Sequence, residues 1–106
     1  MLLAAAITVT TLAADEPTKN KPSGDAARGK IVFENNCADC HESDSRDEKV
    51  GPGLKGLKDG KLPDGRKATR DQLLDIINTG PAEMTSFKDR LTEREKEDVV
   101  AFAMTL

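Results

Sequence analysis

Two cysteines and one histidine are the only residues of their kinds in this 106-residue chain, and all three lie within Cys37-Ala38-Asp39-Cys40-His41. A disulfide between Cys37 and Cys40 would account for the pair and leave His41 unexplained. A thioredoxin-like dithiol belongs in a βαβ setting, and no strand-like alternation runs for more than a few residues. A structural zinc site takes four N/S ligands, usually as two pairs, whereas this chain offers three in one cluster. C-x-x-C-H is also the attachment signature of c-type haem, and that reading uses every residue. Two thiols two residues apart reach the two vinyl groups on one porphyrin edge and add to them as thioethers. The next residue then brings an imidazole nitrogen under the iron, and His is a standard iron ligand. Cys37 and Cys40 are therefore the candidate anchors and His41 the candidate metal ligand.

An electron-carrying haem iron takes a second axial ligand, and no second His exists. The candidates are Met84, Met104 and the lysines. Met84 sits in the polar stretch Gly80-Pro81-Ala82-Glu83-Met84-Thr85-Ser86-Phe87, far enough along the chain to return over the opposite face of a ring. Met104, beside Phe102 and Leu106, reads as helix packing.

Three helices must position these groups. One is expected from about Asp25 to Asn36, with Asp25 as N-cap and Ala26, Gly29, Phe33 and Cys37 near one face. Gly29 inside a helix costs about 1 kcal/mol against Ala, so close approach of another backbone is expected there. A second helix follows Thr69, which has capping-box spacing with Gln72, and stops at Gly80-Pro81. A third follows Thr92, with Glu95 completing a box and Val99, Phe102, Ala103 and Leu106 at three- and four-residue spacing. The long Gly-, Pro- and Lys-rich stretch between the first two is unusual for a compact domain unless it wraps a large buried ligand. The composition asks for the same thing. With three Phe, no Trp, no Tyr and 33% charged residues, the core is thin, and small domains of this kind need a staple.

Net charge is −3, with signs mixed and few aromatics, which speaks against a nucleic-acid partner. Glu42–Glu48 is mostly acidic and Lys55–Arg70 mostly basic; these read as solvated surfaces, the alternative being a docking face for a redox partner. Residues 1–14 are uncharged, too short to span a bilayer, and match the apolar region and small-residue cleavage site of a secretory signal, although no Lys or Arg follows Met1. Residues 15–23 read as a linker. The domain is expected over residues 24–106.

From Gly24 to Leu106 the chain resembles the class I cytochrome c family. The resemblance rests on Gly29 and Phe33 before Cys37-x-x-Cys40-His41, on Gly51-Pro52-Gly53-Leu54, on Met84-x-x-Phe87 and on Phe102. Thr85 and Phe102 depart from it, standing where that family most often has Pro and often has Tyr. The resemblance implies an all-α, small cytochrome c-like fold, three or more helices wrapped around one covalent haem c. It implies that the first and last helices cross at Gly29, that the Pro52 carbonyl accepts a hydrogen bond from the His41 ring, and that Met84 is the distal ligand. A one-electron carrier follows, not an enzyme, in an exported respiratory or other redox chain. Its expected partners are redox proteins: a quinol-oxidising complex, an oxidase or a dehydrogenase. A monomer in the periplasm, or otherwise outside the cytoplasm, is expected, with membrane contact only through partners or an uncleaved N-terminus. The alternatives are an electron-transfer subunit of a larger dehydrogenase and a five-coordinate haem sensor or peroxidase.

Overall fold

Three helices begin at their expected caps in the computed structural model, which describes residues 22–106. The signal-like segment 1–14 and nearly all of the linker lie outside the described residues. Helix α1 (Ala26–Asn36) starts at Asp25, whose carboxylate accepts the Arg28 amide at 3.1 Å. Helix α2 (Arg70–Thr79) starts at Thr69, whose hydroxyl accepts the Gln72 amide, and ends at Gly80 with φ +59°. Helix α3 (Glu93–Ala103) starts with a complete capping box between Thr92 and Glu95. In α2 the return bond from Gln72 does not form. A neutral amide oxygen is a weaker acceptor than the Glu95 carboxylate, so only the charged residue closes its box.

Helices α1 and α3 are the most extensively packed pair, and they meet at Gly29. A Cβ at this position would fall on the Asp98 carbonyl oxygen and 2.9 Å from the Phe102 Cβ. The penalty of glycine inside a helix is offset by this backbone contact. One helical turn away, the Phe33 and Phe102 rings pack tilted, with centroids 5.3 Å apart. At the α1 N-terminus, the buried Asp98 carboxylate accepts the Asp25 amide at 2.8 Å and Arg28 Nε at 3.2 Å. Glu97 is gripped by the Arg70 guanidinium, through Nε at 2.9 Å and through Nη2, and accepts the Ser23 hydroxyl at 3.0 Å. One carboxylate thus joins the starts of α1 and α2 to α3.

The apolar interior is split. Leu57, Leu62, Ala68, Leu73, Val100 and Ala103 form one cluster; Val32, Phe33, Phe87, Leu91 and Val99 form the other; Leu54 and Ile77 touch both. Between α1 and α2 the chain has no β-strand among the described residues, only a short 3-10 turn (Leu57–Asp59) and one bridge pairing Lys61 with Lys67. It is tied down by backbone bonds: Gly51 N to Cys40 O at 2.7 Å, Leu54 N to Glu42 O at 2.8 Å and Gly56 N to Leu106 O at 2.7 Å. Among the described residues no helix is long and apolar enough to cross a membrane.

Candidate cofactor site

Both apolar clusters wall a single cavity of about 550 Å³, within the usual size range of ligand pockets. Phe33 of α1, Leu73, Ile76 and Ile77 of α2 and Val99, Val100 and Ala103 of α3 line it, so each helix turns an apolar face to it. The long segment supplies Leu54, Leu57 and Leu62. Both halves of the core, bridged by Leu54 and Ile77, turn apolar side chains to this space.

The turn after α1 sets three reactive side chains at one end. Cys37 closes the helix with its amide on Phe33 O, and the Cys40 and His41 amides both return to Cys37 O, at 3.1 and 2.9 Å. Cys37, Cys40 and His41 all line the cavity. Burial, with a smaller contribution from Cys40 beside it, pushes the free Cys37 thiol up to about 11, so before any attachment it is neutral at physiological pH.

The His41 ring is oriented by the segment that follows. Its Nδ1 lies 2.8 Å from the Pro52 carbonyl oxygen. A carbonyl only accepts, so Nδ1 carries the proton and Nε2 keeps its lone pair for a metal. Gly51 makes room for this arrangement: a Cβ there would sit 2.5 Å from the His41 Cε1.

Met84 and Met104 are separated by the fold. Met84 is half-buried, lines the cavity and packs on the Phe33–Phe87 cluster. Met104 caps the end of α3, packs on the Leu57–Leu73 cluster and does not line the cavity. The loop carrying Met84 leaves α2 through the left-handed Gly80 and passes through Ala82 with φ +55°. A Cβ on Gly80 would meet Ser86 N at 2.5 Å, so the loop folds back on its own start. Ser86 Oγ donates to Asn78 O at 2.6 Å and Phe87 N to Ile77 O at 2.8 Å, fixing the returning arm to α2.

Sequence reasoning missed the turn at 62–66. Leu62, Pro63, Asp64 and Arg66 line the cavity too. Arg66 Nε donates to Asp64 Oδ2 at 2.6 Å, and the Arg66 backbone and side-chain N–H groups hold the Asp64 carboxyl below its ordinary range. The only signal was the basic run in which Arg66 lies, and a run of charges carries no information about which member faces inward.

Two thiols and an imidazole with an available lone pair at one end, a thioether elsewhere on the wall and apolar surface between them suit a large flat iron-bearing ring. The residues fit haem c in size, polarity and donor set.

Residues 24–102 match the family described as Cytochrome C oxidase, cbb3-type, subunit III. Cytochrome c6 of Synechocystis sp. is 32% identical over 82 residues, covering 77% of this chain and 66% of that protein. Cytochrome c6 of Leptolyngbya boryana is 32% identical over 80 residues, covering 76% and 91%. The cytochrome bc1 complex cytochrome c subunit of Corynebacterium diphtheriae is 35% identical over 79 residues, covering 74% of this chain and 26% of that one. The chain thus spans about a quarter of the length of that subunit. Among solved structures, cytochrome c6 from the diatom Phaeodactylum tricornutum is similar, with a TM-score of 0.60 and 29% identity over 77% of this chain and 93% of that one.

Proposed function

The chain belongs to the family of the cbb3-type cytochrome c oxidase subunit III, within the class I c-type cytochromes, and we infer that it carries single electrons through a haem held between His41 and Met84. It is an electron-transfer protein with covalently bound haem c. When bound, that group supplies one iron that alternates between ferric and ferrous.

The protein's own residues account for the rest of the proposal. Cys37 and Cys40 anchor the ring through thioethers, and the whole unit is residues 24–106. The His41 ring donates from Nδ1 to the Pro52 carbonyl, which stops it rotating and makes Nε2 a stronger donor. Met84 offers a neutral, soft sulfur, which favours the ferrous state and raises the potential. The apolar walls keep water out and disfavour the additional positive charge of the ferric state. His41 and Met84 are the residues that would hold the iron, and with both bound to it the group would be left to exchange electrons rather than to bind a substrate. The observation that carries this reading is that Met84, and not Met104, shares a cavity with Cys37, Cys40 and His41.

The similarity to a cytochrome bc1 complex subunit supports a quinol-oxidising complex as electron donor, with an oxidase as acceptor. That this relative is a subunit of a complex favours a second reading, in which this unit serves as the electron-transfer part of a larger complex. The apolar segment 1–14 supports delivery outside the cytoplasm, where this monomeric carrier works.

Substituting Met84→Ala tests the ligand. The reduction potential should fall by on the order of 100 mV, a modest part of the roughly 0.8 V that axial ligands command, and ferrous protein should bind carbon monoxide readily. Met104→Ala should lower the melting temperature and leave both properties in place. Unchanged spectrum, potential and carbon monoxide reactivity in Met84→Ala would remove Met84 from the iron.

A further inference from the structure

Lys96 lies in Glu93-Arg94-Glu95-Lys96-Glu97-Asp98, a run that reads as a solvated helix face. In the fold it is 1% exposed and the largest of the fully buried side chains. Burying an ammonium is costly unless it is well paired. Its Nζ donates to the Lys88 carbonyl at 2.9 Å and to Glu93 Oε1 at 3.0 Å. The Glu93 side chain is 89% exposed, and water screens an exposed charge partner. The Lys88 carbonyl is therefore the partner for which the burial matters.

Lys88 directly follows Phe87 on the returning arm of the Met84 loop. Ser86 and Phe87 fasten that arm to α2 through the Asn78 and Ile77 carbonyls. Among the described residues, Lys96 makes the only hydrogen bond from an α3 side chain to residues 80–91. The arm thus lies between two helices: Phe87 and Leu91 pack on Val99 of α3, and the polar tie to an α3 side chain is this one ammonium.

We propose that Lys96 is a positioning residue for the distal ligand: through the Lys88 carbonyl it holds the Met84 arm against α3 and keeps the thioether in the cavity. The proposal rests on Met84 being an iron ligand. Lys96 touches neither the cofactor nor Met84 and acts through the backbone between them. A charged hydrogen bond of this type changes an equilibrium by about tenfold or more when lost.

The test uses purified holoprotein carrying Lys96→Met, which keeps an unbranched apolar stem and removes the donor. Ferric protein should lose intensity in the thioether-to-iron charge-transfer band, and ferrous protein should bind carbon monoxide about tenfold faster, as Met84 detaches more often. Asp98→Asn on the same helix is the comparison, since it weakens the Asp25 and Arg28 contacts on α1 and leaves the arm alone. It should lower the melting temperature with band and carbon monoxide rate unchanged. If Lys96→Met and Asp98→Asn alter band and rate in proportion to lost stability alone, Lys96 is merely structural and the proposal is overturned. If Lys96→Met fails to fold, amide exchange in the wild-type holoprotein decides. The Leu91 amide, bonded to Phe87 O within the arm, should exchange as slowly as those of α3, and fast local exchange there would overturn the clamp. A band that survives Met84→Ala removes the ligand reading and this proposal together. A band lost in Met84→Ala but untouched in Lys96→Met removes the clamp only.

Discussion

Adding one methyl group at Gly29 probes the packing on which the whole arrangement depends. The new Cβ of Gly29→Ala would fall on the Asp98 carbonyl oxygen. That oxygen is backbone in the middle of α3, whose Asp98 side chain is already committed to Asp25 and Arg28. It cannot swing aside as the tip of a flexible side chain would. Overpacking costs about 1–3 kcal/mol, and a backbone obstacle places this case at about 3 kcal/mol. Alanine regains about 1 kcal/mol of helix propensity, leaving a net loss of about 2 kcal/mol. For a domain of this size that lowers Tm by roughly 8–16 °C. The assay is thermal unfolding of the ferric holoprotein followed by far-ultraviolet circular dichroism. Gly60→Ala is the comparison, because nothing lies within 4 Å of a Cβ there although φ is +87°. It should cost only the strain of the left-handed conformation, about 1 kcal/mol. A Gly29→Ala protein that melts at or above the wild-type temperature would refute the account, because propensity alone would then govern the site.

Replacing Cys37 and Cys40 together by Ala should leave a chain that does not unfold cooperatively, because the two apolar clusters face a cavity of about 550 Å³ with nothing covalently held in it; a sharp calorimetric transition would contradict this. Acid should destabilise the holoprotein through Glu97 and Asp98. The Arg70 hydrogen bonds hold Glu97 below its ordinary value, and the Asp25 amide does the same for Asp98. Groups with folded pKa values below their unfolded values stabilise the fold above the unfolded pKa, about 4 for carboxylates, and lose that contribution as pH falls through the folded value. Urea midpoints measured from pH 6 down to pH 2 should therefore fall below about pH 4, and less steeply in Asp98→Asn.

Local chemistry was legible from the sequence and long-range polar chemistry was not. Asp25, Thr69 and Thr92 announced their helices because a cap and its amide lie within three residues of each other. Gly29 announced a close approach because glycine is otherwise unfavourable inside a helix. The C-x-x-C-H run carried its chemistry in five consecutive residues. Arg70, in contrast, read as a member of a solvated charge run and Lys96 drew no reading of its own, yet one grips Glu97 and the other is buried against Lys88. Their partners are a carboxylate 27 residues away and a backbone carbonyl that has no side-chain signature. Gln72 was expected to close a box as Glu95 does, and spacing alone could not register the difference between an amide and a carboxylate. The turn at 62–66 was hidden because its approach to the cavity is set by the bridge between Lys61 and Lys67, two residues that no pairing rule would select.

The contact between α1 and α3 also governs how the chain reaches its native state. Each helix is 11 residues long, below the roughly 12–15 residues at which an isolated helix begins to hold in water. Neither persists until it meets the other, and the Asp25–Asp98 bond spans 73 positions. The entropy of closing so long a loop is spent before any of the packing at Gly29 is gained. Folding should therefore be slow for so small a helical protein and all-or-none. A single proteolytic cut in the exposed 63–67 turn would convert that closure into a bimolecular encounter, so the two halves would hold together only through non-covalent contacts such as the facing helices and the Gly56–Leu106 bond.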